Sequence, residues 1–383
     1  MSARAIIHAD HNLAWALALV VLGGCYRSHA LPADTADARA PIDASSATDA
    51  STTPCAFEPT GRFVYLGLDD HVTPRLVDLG SELGVVYVGR GSPTANLLLV
   101  MELDLGRGST PVALTDRSFT WAEVAPAEGG LVLCWGDGSP GSAIASFTRD
   151  GRPLTPPARI PFGGHCEDLV RGSGDRYALM ASSGTGQPLI VAAVTASGPL
   201  TREPMRLEGT VDPSQMSIAA VPDGFVIGHV RRAAGDNGSF LTRFGAAGPS
   251  GPLRIGDPGD AAVRVAASDS ELAVVRFVPP VSILTIRDPR TLEVRRTRTL
   301  ETGMSPPRLV AIDGGFALLT ATPSELRLTW VRGDEVGELR EPLPPDFNFA
   351  DVDVLGKGRD VYATAHANPT GRFDVEVLRF SCR

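Results

Sequence analysis

Lysine is almost missing from this chain: of its 35 basic side chains, all but Lys357 are arginine. Basic residues are outnumbered by 44 acidic ones, for a net charge of −9 and a pI near 5.3. A chain of that sign lacks the basic stripe that nucleic-acid binding requires and the cationic surface that docks on anionic lipid. Aromatic side chains make up only 6 %, with four tryptophans, so platforms for stacking sugars are scarce. The longest apolar run near the start, Leu13 to Leu22, falls well short of the roughly 20 residues that cross a bilayer as a helix. Motifs of reactive chemistry are missing too. There is no G-x-S-x-G elbow, no G-x-x-x-x-G-K-[ST] phosphate loop and no H-E-x-x-H pair.

Turn formers are abundant, with 41 glycines and 31 prolines, and they favour many short strands over long helices. Apolar residues at 43 % and charged residues at 21 % are ordinary for a globular chain, and 383 residues suit a single large β architecture. The N-terminus is separate in character. Arg4, partly offset by Asp10, precedes the apolar run Leu13–Leu22, and small residues follow, which is the layout of a secretory signal peptide over residues 1–24. Leu22-Gly23-Gly24-Cys25 resembles a bacterial lipobox, in which signal peptidase II cuts before the cysteine and the cysteine is acylated. That resemblance implies a lipid anchor on Cys25, firm because each buried CH₂ contributes about 0.8 kcal/mol and several chains act together. Tyr26 stands where an inner-membrane retention signal would place Asp, so the resemblance implies the outer membrane. Residues 25–54, rich in Ala, Asp, Ser, Thr and Pro, bury too little apolar surface to order themselves and read as a tether.

Residues 55–383 repeat one pattern. Seven turns align: "DLGSELGVVYV" from Asp78, "APAEGGLVLCW" from Ala125, "RGSGDRYALMA" from Arg171, "AVPDGFVIGHV" from Ala220, "AASDSELAVVRF" from Ala266, "AIDGGFALLTA" from Ala311 and "LGKGRDVYATA" from Leu355. First strands near Pro74, Ser118, His165, Gln215, Ala261, Pro306 and Phe349 give a period of about 46 residues, and the second half of each copy reads as a hairpin. Four strands per repeat predict an all-β fold, a seven-bladed β-propeller of four-stranded antiparallel blades. A pair of β-sandwich domains is the competing architecture, but nothing near residue 210 reads as a linker. The seventh copy lacks one strand, and "FEPTGRFVYLGL", Phe57–Leu68, is available to close the ring as its outer strand.

With Cys25 acylated, four cysteines remain, and they allow three connectivities. The ring selects Cys55–Cys382 at its closure and Cys134–Cys166 between neighbouring blades. His165 beside Cys166 reads as a bystander, so no metal is expected there. Asp69-Asp70-His71 reads as a solvated loop. Asp351 and Asp353 alternate on an inner strand and would face a cation in the central channel or water. "GDGSPGS" at Gly136 and "GDNGS" at Gly235 lack the spacing of an EF-hand and fit loops between second and third strands. "EVRRTRTL" at Glu293 reads as charges guarding an outer edge strand.

The Gly-His and Trp-Asp pairs of WD40 blades and the S-x-D-x-G-x-T-W box of sialidases are both absent. Overall the chain resembles the uncharacterised propeller lipoproteins of high-GC Gram-negative bacteria such as myxobacteria, a genome bias that also fits the arginine preference. The expectation is an envelope-anchored, monomeric, non-enzymatic binding module that touches the membrane only through its lipid. It would take a protein or glycan ligand and need no cofactor, metal or nucleic acid. The expected binding face is built from the loops between second and third strands and those leading into each blade, carrying Arg90, Asp137, Arg231, Arg232, Asp236, Asp257 and Asp346. The alternative is a periplasmic or surface hydrolase or lyase acting on carbohydrate, with carboxylates converging on the axis.

Overall fold

The computed structural model describes residues 56–68, 74–89, 95–115, 122–136, 142–162, 165–182, 189–200, 204–207, 209, 213–232, 237–245, 248–322, 324–343, 347–367 and 373–382. Within them the chain forms seven antiparallel sheets, and the only helical element is the 3-10 turn Pro213–Gln215. The innermost strands of blades 1 to 7 are Arg75–Asp78, Ala122–Ala127, His165–Arg171, Ser217–Val221, Ala262–Ala267, Arg308–Ile312 and Phe347–Lys357. Each touches the next around the axis, and the seventh touches the first. That circular adjacency establishes the seven-bladed propeller and rules out the paired sandwiches. Phe57–Leu68 pairs with Phe373–Cys382 as the outer strand of blade 7, in register from Phe57 opposite Cys382 to Leu68 opposite Phe373. The N-terminal strand therefore closes the ring, as its sequence predicts.

Burial falls from the axis outward, and composition follows it. Second strands such as Gly130–Gly136 and Tyr177–Ser182 are buried along their whole length, because neighbouring blades cover both their faces. They read accordingly as continuous apolar runs rather than alternating ones. Outer strands Val294–Glu301 and Glu335–Pro342 expose most of their side chains, and their arginines and glutamates blunt the open hydrogen-bonding edge. The "RRTRTL" segment is thus an edge guard, as expected. In blades 3 and 4 the outer strand is broken into Gly198–Pro199 with Met205–Leu207 and Gly248–Pro249 with Leu253–Arg254. Pro199 and Pro249 have no N–H to give a ladder, which confines them to such edges.

Seven apolar clusters fill the seven gaps between blades. The gap between blades 2 and 3 also holds the Cys134–Cys166 disulfide, with Cα atoms 6.1 Å apart and both residues buried. A link across 32 residues of sequence contributes about 3–4 kcal/mol in the chain-entropy account. Cys166 is thereby committed to sulfur, and among the described residues no group of three His, Cys, Asp or Glu side chains is arranged to hold a metal.

Nearer the axis the ring is polar. Four residues before the position that opens each inner turn stand Arg75, Glu123, Asp168, Ser217, Arg264, Arg308 and Asp353, all between 0 and 7 % exposed. A buried polar group must find partners or lose a few kcal/mol, and here the partners lie on neighbouring blades. Asp353 Oδ2 accepts the Leu76 N–H at 2.8 Å, Asp168 Oδ2 accepts the Ile218 N–H at 3.1 Å, and Ser217 Oγ accepts the Val265 N–H at 2.7 Å. Arg75 Nε donates to Glu123 Oε1 at 2.9 Å, and Arg264 Nη1 donates to the Met216 carbonyl at 3.2 Å. Asp353 is therefore a clasp between blades 7 and 1, not a group held out to solvent or to a cation. Nothing is described of the Asp351 side chain. At the same seam Lys357, the single lysine, pairs with Asp78.

Candidate functional site

The two ends of the ring differ. At one end, first strands turn into second strands in short Gly-, Asp- and Ser-containing loops. At the other lie the connections between second and third strands and those leading into each blade. A recess of about 730 Å³ opens at the first end, lined by the inner turns of blades 3 to 6. Blade 3 contributes Arg171 to Ser173 and blade 4 Ala220 to Pro222. Blades 5 and 6 contribute Ala267 to Glu271 and Ala311 to Gly315.

The lining is built by tight turns. Gly314 adopts φ +74, which a side chain resists, and a Cβ on Gly315 would lie 2.1 Å from the Val331 carbonyl oxygen. Ser268 Oγ accepts the Glu271 N–H at 3.1 Å and so fixes the blade 5 turn. The Asp313 N–H donates to the Gly358 carbonyl at 2.7 Å, which ties the blade 6 turn to blade 7. Arg171 Nε donates to the Gly174 carbonyl at 3.4 Å, and Glu271 is ion-paired with Arg296. Exposed carboxylates of Asp269 and Asp313 and the hydroxyls of Ser173, Ser268 and Ser270 complete the polar surface. The lining contains no histidine, cysteine or aromatic side chain. Such a surface offers hydrogen-bond acceptors and hydroxyls.

Three of the residues expected to form a binding face are described, and they lie away from the recess. Arg231 closes the second strand of blade 4, with its guanidinium 4.8 Å from the Phe240 ring centroid. Arg232 is exposed beside it, and its N–H donates to the Gly209 carbonyl at 2.8 Å. Asp257 is exposed in the loop leading into blade 5, and its carbonyl accepts the Asp260 N–H at 3.3 Å. These three stand at the end opposite the recess. Arg90, Asp137, Asp236 and Asp346 lie outside the described residues, as do Asp69, Asp70, His71, Cys25, the signal segment 1–24 and the tether up to Cys55.

Cys382 is disulfide-bonded, and Arg359 Nη2 lies 3.3 Å from its Sγ. Its expected partner Cys55 lies outside the described residues, two positions before Phe57, whose Cα is opposite Cys382. Peptide mapping under non-reducing conditions is expected to recover the Cys55 and Cys382 peptides as one species. Recovery of Cys382 joined to Cys25 would remove both the closure bond and the acylated cysteine. Ser381, next to Cys382, pairs with Asp360 just after the blade 7 turn. Phe57, opposite Cys382, therefore stands at the recess end of blade 7.

No family model matches the chain, and no curated protein matches it. Solved structures do. The WD40 domain of Toxoplasma gondii coronin matches with a TM-score of 0.53 at 11 % identity, covering 85 % of this chain and 88 % of that one. A prolyl endopeptidase matches with a TM-score of 0.51 at 14 % identity, over 78 % of this chain and 46 % of that one. A protein of unknown function from Dyadobacter fermentans gives 0.47 at 12 % identity, over 85 % and 99 %. At such identities the likeness is one of fold, and the fold is the β-propeller.

Proposed function

We propose that this chain is an envelope lipoprotein, anchored at Cys25, whose propeller is a non-enzymatic binding module with its ligand site in the recess at the tethered end. The observation that carries the reading is the recess itself. It is large enough for several residues of a peptide or a small glycan, and it is lined by hydroxyls, carboxylates and tight-turn backbone, with no histidine, cysteine or aromatic side chain. A carbohydrate-cleaving site would want aromatic platforms beside its carboxylates, and this lining supplies none. The closing strand begins at Phe57 on that same end of the ring, which supports a ligand face on the tethered side.

Two measurements test it. Cys25→Ser is expected to move the protein from the membrane fraction to the soluble fraction, and a variant that stays membrane-bound removes the lipid anchor. The soluble 55–383 domain is expected to capture a defined partner from envelope extract, identified by mass spectrometry. Asp313→Arg and Ser270→Trp, which reverse a charge and fill space at exposed turn positions, should each lower that capture at least tenfold. Equal capture by all three proteins would place the site elsewhere.

A further inference from the structure

Blade 6 and the closing strand of blade 7 bound a second, lateral groove of about 250 Å³, which shares no lining residue with the axial recess. Its walls are Pro59, Gly61 and Arg62 of the closing strand, Glu376 and Leu378 of the strand beside it, and Glu341, Pro342 and Leu343 of blade 6. Glu376 is 2 % exposed, yet it borders this open space. Its Oε1 is ion-paired with Arg62, whose side chain is 55 % exposed, while Oε2 has no hydrogen-bond partner. A buried carboxylate oxygen without a donor is costly and uncommon, and here it belongs to a residue that lines an open groove. Burial pushes the Glu376 carboxyl above its ordinary range, and Arg62 pulls it back. A bulge between Pro59 and Gly61 breaks the ladder beside the groove, as bulges do where a strand is re-aimed.

Charge and shape narrow the ligand. Glu341, Glu376 and Arg62 all line the groove, so its described lining carries one more negative than positive charge. A metal ion would want a third carboxylate, histidine or cysteine, and no such group exists among the described residues. A compact head with several donors and an apolar stem fits better, because Pro59, Pro342, Leu343 and Leu378 offer walls along which methylenes can lie. We propose that this groove binds a primary ammonium group, carried by a free diamine or by a lysine side chain of another molecule, with the carboxylates of Glu376 and Glu341 as its acceptors, the Glu376 side chain turning toward the ligand as it binds. The chain's own single lysine, Lys357, is engaged with Asp78 at the other seam, so the ammonium comes from outside. Bound there, it bridges the closing strand to blade 6 and stabilises the closed ring by mass action.

The test uses the full chain with two probes, 1,4-diaminobutane and the tripeptide acetyl-Gly-Lys-Gly-amide, with butan-1-ol as the uncharged control. Saturable amide shifts confined to the neighbourhood of Arg62, Glu341 and Glu376 are expected with at least one amine and not with the alcohol. The Tm should rise with concentration of the same amine. A response to the diamine alone assigns the site to free amines, and a response to the tripeptide assigns it to lysine side chains. Glu376→Gln keeps the shape and should weaken the response at least tenfold. Glu341→Gln, on the outer strand of blade 6, should weaken it severalfold and guards against a folding defect in the first variant. Absence of a saturable response to both amines, or an unchanged response in both variants, overturns the proposal.

Discussion

Phe57→Ala is expected to lower the free energy of unfolding by about 3–5 kcal/mol, the range for removing a buried phenylalanine side chain. Phe57 begins the closing strand but does not pack only within its own blade. Its ring, 3 % exposed, sits 5.0 Å from the Trp330 ring centroid at an interplanar angle of 59°. Around the pair lie Val310, Leu328, Val354 and Phe380, so one side chain couples the N-terminal strand to blades 6 and 7 together. A domain of ordinary stability, on the order of 5–15 kcal/mol, loses a large fraction of it by this change. Val64→Ala on the same strand is the internal control. Val64 is 39 % exposed, and its truncation is expected to stay within about 0.5 kcal/mol. Urea unfolding of both variants, with and without reductant, measures the difference. Reductant should deepen the Phe57→Ala defect, since the Cys382 disulfide no longer holds the strand end near its place. If the two variants unfold at the same urea concentration, the closing strand is an appendage rather than part of the ring.

That strand was legible to the residue, because a seventh repeat one strand short demands a donor and Phe57–Leu68 has the right alternation. The number of blades was legible for a similar reason: seven Gly/Asp turns at constant spacing leave little freedom. The polar column near the axis was equally present in the letters, as "RLV", "EVA", "DLV", "SIA", "RVA", "RLV" and "DVL". It escapes notice because the turns align on glycine and aspartate, while the column changes chemistry and sign from blade to blade. Asp353, read alone, looks like a group at a strand end that seeks water; the same residue seen in the column is a clasp. The recess is of another kind. Its lining comes from four turns between Arg171 and Gly315, and no spacing within any one turn announces it. Loop charge, which marks exposure and carries no information about depth, does not point to such a recess.

Glu123→Ala tests whether that column holds the blades. Arg75 and Glu123 bridge blades 1 and 2 with side chains 3 % and 1 % exposed. Removing the carboxylate leaves a guanidinium in a site closed to water, and breaking a buried pair in this way costs about 3–5 kcal/mol. The loss measures the guanidinium deprived of Glu123 and not the worth of the pair, because two buried ions give up most of their mutual attraction to desolvation. Replacing both, as Arg75→Met with Glu123→Leu, is therefore expected to restore stability to within about 1 kcal/mol of the parent or to exceed it. Denaturant unfolding of the two single variants and the double variant closes the cycle, and a positive coupling of several kcal/mol is the expected result. A cost below about 1 kcal/mol for Glu123→Ala would mean that the apolar clusters alone hold blade 1 to blade 2. The restored double variant then asks what the charges are for. Around the ring they run Arg75, Glu123, Asp168, Ser217, Arg264, Arg308, Asp353, an order that no rotation by whole blades repeats. Seven blades of like shape and apolar interior can stack out of turn, whereas mismatched buried charges penalise every wrong neighbour. A double variant as stable as the parent, but slower to refold or recovered in lower yield, is the outcome expected if these side chains set which blade follows which.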